Sequence, residues 1–126
     1  MAVITFDVTD DLSGEGGLRI EADAYGDASA RPVLLLHGGG QPRHSWGSTA
    51  ATLAAAGWYA VAYDQRGHGA SGRSPSGHYE PGRFAEDLVE IATTFEQAPV
   101  VVGASLGGLA ALLAEGVLAP GLFAGI

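Results

Sequence analysis

The chain has 126 residues, of which 47% are hydrophobic, a formal charge of −8 and no cysteine. Such a length suits one domain with its own core, and the lack of cysteine excludes disulfides and thiolate metal sites and makes a cytoplasmic location the expectation, while a start without a basic region and apolar segment makes an unprocessed chain the expectation. The acidic balance argues against nucleic acid and anionic membrane surfaces and favours a neutral or cationic small molecule as partner, and no apolar run nears the ~18 residues that a membrane-spanning helix requires.

Residues 3–8 alternate apolar and polar side chains and are rich in β-branched types, which predicts a half-exposed strand at a sheet edge. A polar turn over 10–17 follows, in which Asp10, Asp11 and Glu15 read as a solvated loop rather than a metal site. Residues 18–25 set Leu18, Ile20, Ala22 and Ala24 against Arg19, Glu21 and Asp23, so the two segments are expected to form an antiparallel hairpin. At 32–36 the pattern changes to the continuous apolar run Pro-Val-Leu-Leu-Leu, the signature of a strand covered on both faces by helices. A glycine-rich loop, 37–41, leads to a helix predicted from an N-cap at Ser45 to about Ala56, with Gly57 as its C′ residue. Residues 58–63 read as a strand, 64–69 as a glycine-punctuated turn, and a polar loop continues through Gly72, Pro75 and Gly77. From Pro81, the spacing of Phe84, Leu88, Ile91, Ala92 and Phe95 predicts an amphipathic helix. A strand over 99–104 and a helix from Leu106 to Glu115, ended by Gly116, complete the reading. Alternating strands and helices imply a doubly wound sheet whose ligand sites lie beyond the C-terminal strand ends, where His37, Asp64 and Ser105 all fall.

Gly103-Ala104-Ser105-Leu106-Gly107 joins that last strand to its helix as Gly-x-Ser-x-Gly, the form of a nucleophile elbow, which makes Ser105 the candidate nucleophile. The plainer alternative is a serine that caps a helix. Three motifs in order, His37-Gly38-Gly39-Gly40, Asp64-Gln65-Arg66-Gly67-His68-Gly69-Ala70-Ser71 and Gly103-Ala104-Ser105-Leu106-Gly107-Gly108, resemble the N-terminal half of the α/β-hydrolase superfamily. The resemblance implies an incomplete α/β-hydrolase fold in a single domain over 1–126: an N-terminal β-hairpin, then parallel strands with crossover helices, ending after the elbow helix and without a cap domain. It is similar to the esterase, peroxidase-like and epoxide-hydrolase-like branch, and a serine where epoxide hydrolases and haloalkane dehalogenases carry aspartate implies acyl transfer on an ester-type bond. That chemistry needs neither metal nor organic cofactor. By the same resemblance Leu106 and Gly39, with Gly40 as the alternative, supply oxyanion-hole amides and Arg66 and His68 brace a structural turn, while His37 reads as a hydrogen-bonded structural histidine rather than a catalytic base.

The family order is serine, acid, histidine, yet no histidine follows Ser105 and the one later carboxylate, Glu115, would stand about 15 Å away along a helix. The histidines, at 37, 44, 68 and 78, all precede the serine. The expectation is therefore a truncated or split serine hydrolase with little or no turnover alone, since a serine without a base is a weak nucleophile. Two other readings stand beside it: a small-molecule binding module, and an assembly unit whose uncovered sheet edge pairs with a second copy or with a complementary C-terminal chain. Dinucleotide binding is disfavoured because the glycines at 38–40 lack the Gly-x-Gly-x-x-Gly spacing.

Overall fold

A computed structural model describes residues 1–10 and 17–126. Of the predicted acidic turn, Asp11 and Glu15 lie outside the described residues. Five strands, β1 (Ala2–Thr9), β2 (Gly17–Tyr25), β3 (Pro32–Leu36), β4 (Tyr59–Tyr63) and β5 (Val100–Gly103), form one sheet in the order β1-β2-β4-β3-β5. The hairpin is antiparallel, with Phe6 opposite Ile20, and β2 joins β4 antiparallel, with Ala24 opposite Val61. β3 runs parallel to both β4 and β5. Ligand chemistry is thus expected at the common C-terminal edge of β3, β4 and β5.

The helices α1 (Gly47–Ala55), α2 (Pro81–Ala92) and α3 (Leu106–Leu113) cover the two faces. The two-residue period of β3 divides its side chains between them. Leu34 and Leu36 enter the larger core with Ile20, Val61, Leu88 and Ile91, whereas Val33 and Leu35 pack beneath α1 with Ala50 and Ala60. All five β3 residues are buried, which is why the run is apolar without alternation. Each of its leucines is worth about 1.5–3 kcal/mol of burial. The stripe Phe84, Leu88 and Ile91 is the buried face of α2. Phe95 lies past the end of that helix, where its ring meets Phe6 and Tyr59 at centroid distances of 6.1 and 6.4 Å.

Two helix boundaries differ from the expected ones. Pro42 is extended and opens a 3-10 turn, Arg43–Trp46, so α1 starts only at Gly47; the Ser45 hydroxyl donates to the Pro42 carbonyl (2.9 Å) instead of capping the helix. The far end of α1 is as read: the Gly57 N–H donates to the Ala54 carbonyl (3.0 Å) and the Trp58 N–H to that of Leu53 (3.1 Å), a Schellman closure. Gly116 does not end the elbow helix, because α3 passes into a π turn, Ala114–Leu118, that contains it. Pro120 makes the stop, since proline disfavours helical backbone at the residue before it, and Ala119 has φ −146°.

The expectation of an uncovered β5 edge needs a further correction. Residues 121–126 lie along the start of that strand: the Ala124 N–H donates to the Pro99 carbonyl and the Val101 N–H to the Gly125 carbonyl, both at 2.9 Å, making a parallel bridge. Farther along, Val102 remains 40% exposed and an apolar groove opens between β5 and α3, lined by Val102, Ala111, Leu112 and Ile126. Among the described residues no helix is long and apolar enough to cross a membrane.

Candidate active site

The elbow is built by close backbone crossings. Ser105 has φ 52° and ψ −110°, and among the described residues it is the one non-glycine with positive φ. A Cβ at Gly107 would collide with the Leu36 carbonyl and side chain, and one at Gly103 with the backbone of Gly107 and Gly108. The end of β5 can therefore pass over the end of β3 only with glycine at both positions. The Ala104 N–H donates to the Leu36 carbonyl (3.1 Å), the Gly107 N–H to that of Ala104 (3.0 Å) and the Leu109 N–H to that of Ser105 (2.9 Å). Ser105 is exposed and its hydroxyl does not cap α3. The plain capping alternative is thus not what the turn is built for.

The loop beyond β3 closes on itself, with the Gly38 N–H donating to Gln41 Oε1 (3.2 Å) and the Gln41 N–H to the Gly38 carbonyl (3.1 Å). It brings Gly39 beside the elbow: a Cβ there would stand 4.0 Å from Leu106 Cβ. The two candidate glycines are not equivalent, because the Gly40 N–H already donates to His68 Nε2 (3.0 Å).

His37 is fully buried. Its Nδ1–H donates to the Gly38 carbonyl (2.8 Å), and Nε2 accepts the Gln65 N–H (2.9 Å). Burial holds this imidazole below the ordinary histidine range, against the pull of the Gly38 carbonyl. The other histidines are engaged too. His68 donates from Nδ1 to the Arg66 carbonyl (3.0 Å), His44 lies 3.6 Å from Asp23 and His78 3.5 Å from Glu80. Glu115 sits on the π turn and accepts the Gly121 N–H (3.1 Å), away from the elbow.

Two buried arginines, Arg43 and Arg66, frame the site, each paired with carboxylates. The Asp64 carboxylate accepts from the backbone N–H of Arg43 (2.6 Å), the Ala70 N–H (3.0 Å) and the Arg43 guanidinium. Burial pushes this carboxyl up, but those donors and the guanidinium charge outweigh it and hold it below 3.8. Arg43 Nε also lies 3.0 Å from Asp23 Oδ1, an ion pair outside hydrogen-bond geometry. This explains why Asp23, on the polar row of β2, is only 2% exposed. Sequence reasoning passed over Arg43, whose partners lie 20 and 21 positions away on other elements. Arg66 is wholly buried as well: it forks onto Asp87 of α2 (2.7 and 2.8 Å) and donates to the carbonyls of Thr9 (3.0 Å) and His78 (2.9 Å). Burial pushes the Asp87 carboxyl up to about 6 despite the pull of Arg66. A carboxylate at the 84–87–91 spacing of an apolar stripe was the local signal of a buried cation.

A mixed sheet of this strand order, with a strained serine turn between its fifth strand and the next helix, defines the hydrolase class of α/β architecture. The model of the alpha/beta hydrolase fold family matches residues 31–115, and the chain belongs to that family, corresponding to its N-terminal region. An esterase of Mycobacterium tuberculosis is 39% identical over 94 residues, which cover 74% of this chain and 30% of the relative. Epoxide hydrolase A of the same organism is 35% identical over 82 residues, covering 64% and 26%. The solved thioesterase domain from the curacin biosynthetic pathway superposes with a TM-score of 0.78 at 25% identity, over 94% of this chain and 41% of that domain. The chain thus spans about 30% of the length of the curated relatives it matches.

Proposed function

We propose that this chain carries the nucleophile half of a serine-dependent carboxylic-ester hydrolase, with Ser105 as nucleophile and the amides of Leu106 and Gly39 as oxyanion donors. The observation that carries the reading is the strained backbone of Ser105, held at φ 52° between two glycines whose crossings admit no side chain while its hydroxyl serves no capping role. Strain of this kind, about 1–3 kcal/mol, clusters at functional turns. In the proposed reaction the Ser105 oxygen adds to an ester carbonyl, the oxyanion is met by the two amides, the alcohol leaves, and water releases the acid from the acyl-enzyme. Each amide would contribute about 3–4 kcal/mol to the transition state. Gly39 is preferred over Gly40 because the latter's N–H is taken by His68. Serine rather than aspartate at the elbow favours an ester over an epoxide, although both chemistries occur among the relatives' names.

The four histidines of the chain face backbone groups or carboxylates, so the base that activates Ser105 is proposed to come from a segment outside residues 1–126. The test is hydrolysis of a chromogenic acetyl ester by the chain and by Ser105→Ala, with mass spectrometry after exposure to a fluorophosphonate. The expected result is slow labelling confined to Ser105 and turnover near background. Robust hydrolysis lost in Ser105→Ala would refute the need for an outside base, and an adduct elsewhere would refute the nucleophile.

A further inference from the structure

The loops beyond β3 and β4 are fastened by two histidines in a reciprocal arrangement. His37, at the end of β3, accepts the Gln65 N–H at Nε2 (2.9 Å), and His68, beyond β4, accepts the Gly40 N–H at its own Nε2 (3.0 Å). A backbone amide can only donate, so each Nε2 holds a lone pair and each Nδ1 holds the proton. Those protons go to the carbonyls of Gly38 (2.8 Å) and Arg66 (3.0 Å). The rings lie 4.8 Å apart. Their settings differ: His37 is fully buried, whereas His68 is partly open to solvent.

We propose that His68 is the positioning residue of the Gly38–Gly40 loop, and that its bond from Gly40 is a latch that opens when a proton from solvent binds Nε2. An imidazolium donates at both nitrogens, so the protonated ring presents a hydrogen to the Gly40 N–H and the bond is lost. The groups around the ring offer little to offset this. From the β3 loop it faces His37, whose ring nitrogens are taken by the Gly38 carbonyl and the Gln65 N–H; from α2 it faces the uncharged ring of Phe84 at 6.3 Å. The Asp64 carboxylate is bound by Arg43, and the Arg66 guanidinium is turned to Asp87. Among the described residues the histidines within ion-pair distance of a carboxylate are His44 and His78. With the latch closed, Gly39 is the loop residue beside Leu106; open, it frees a second amide and releases the turn. The latch itself stands on geometry, and only its consequence for Ser105 rests on the function proposed above.

The experiment is nuclear magnetic resonance on the 15N-labelled chain from pH 8 to 5, following the ring nitrogens of His68 and the amide of Gly40. The Gly40 resonance is expected to move with the midpoint of the His68 ring, and its hydrogen exchange, corrected for intrinsic pH dependence, to quicken about tenfold on the acid side. In His68→Phe the Gly40 amide should exchange fast at every pH while the Gln65 amide keeps its protection. A Gly40 amide that ignores the His68 titration, or stays protected below its midpoint, overturns the latch in the wild-type chain alone. Fluorophosphonate labelling of Ser105 over the same range should fall several-fold across that midpoint and lose the step in His68→Phe. A flat labelling profile alongside a titrating Gly40 overturns the positioning role. Absence of labelling at all pH values counts against the serine reading, and the latch is then decided by the Gly40 titration.

Discussion

Ser105 is held where an L-residue is strained, and that strain has a measurable counterpart in stability. Ser105→Gly, which relieves a positive φ, is expected to raise the unfolding free energy by up to about 1 kcal/mol in urea titration. An unchanged or lowered midpoint would mean that the turn stores nothing. Gly107→Ala should act in the opposite sense, by about 1–3 kcal/mol or more, because its methyl group meets the Leu36 backbone. At this scale the sequence was legible wherever the geometry is local: five consecutive residues contain both the serine and the crossings that expose it. The preference for Gly39, with Gly40 as the alternative, came from the sequence, but the engagement of the Gly40 N–H was not legible there. It involves a ring nitrogen of His68, 28 positions on, which no spacing rule connects to the loop.

Between elements, the buried guanidinium groups do the joining. Arg66 ties the loop beyond β4 to α2 and to the end of β1, so Asp87→Ala leaves a fully buried cation with its main partner gone. A loss of about 3–5 kcal/mol is expected, read from thermal or urea unfolding, and a loss under 1 kcal/mol would show that the fork is dispensable. Asp64 makes a pH-dependent contribution whose sign follows from its lowered carboxyl. The folded state favours the ionised form, so the stabilisation is complete above 3.8 and disappears as pH falls through the lower folded value. Wild type should therefore exceed Asp64→Asn in stability at neutral pH, by about 1.5–3 kcal/mol, with the gap narrowing below pH 3.8. A gap that persists at pH 2 would mean that the carboxylate charge is not its source. Periodicity located each of these elements, since burial on one face imprints itself on neighbouring residues. Their ends were harder to read where a proline outside the helix decides them, as Pro42 and Pro120 do. The Arg43 cluster left no imprint because its carboxylates come from β2 and from beyond β4.

In the whole molecule, the hairpin, the parallel strands and the elbow stand in the order that the motifs implied, and helices cover both faces. The last six residues were read as leaving β5 bare and instead pair along its first half. Ala124→Pro removes the N–H that donates to Pro99 and should loosen that segment. Greater self-association is expected in sedimentation velocity, since an open strand edge seeks a partner. A monomer indistinguishable from wild type would show that the edge is protected by other means.

The strand order also imposes a chronology. β3 has no neighbour among the strands made before it, because β2 pairs with β4 and β3 lies on the far side of β4. A chain leaving the ribosome therefore exposes Pro32–Leu36, whose five residues are all buried in the finished fold, until Tyr59–Tyr63 emerges to separate β2 from β3 and pair with both. That interval is the stretch of synthesis in which this protein has most to gain from a chaperone that binds short apolar strands.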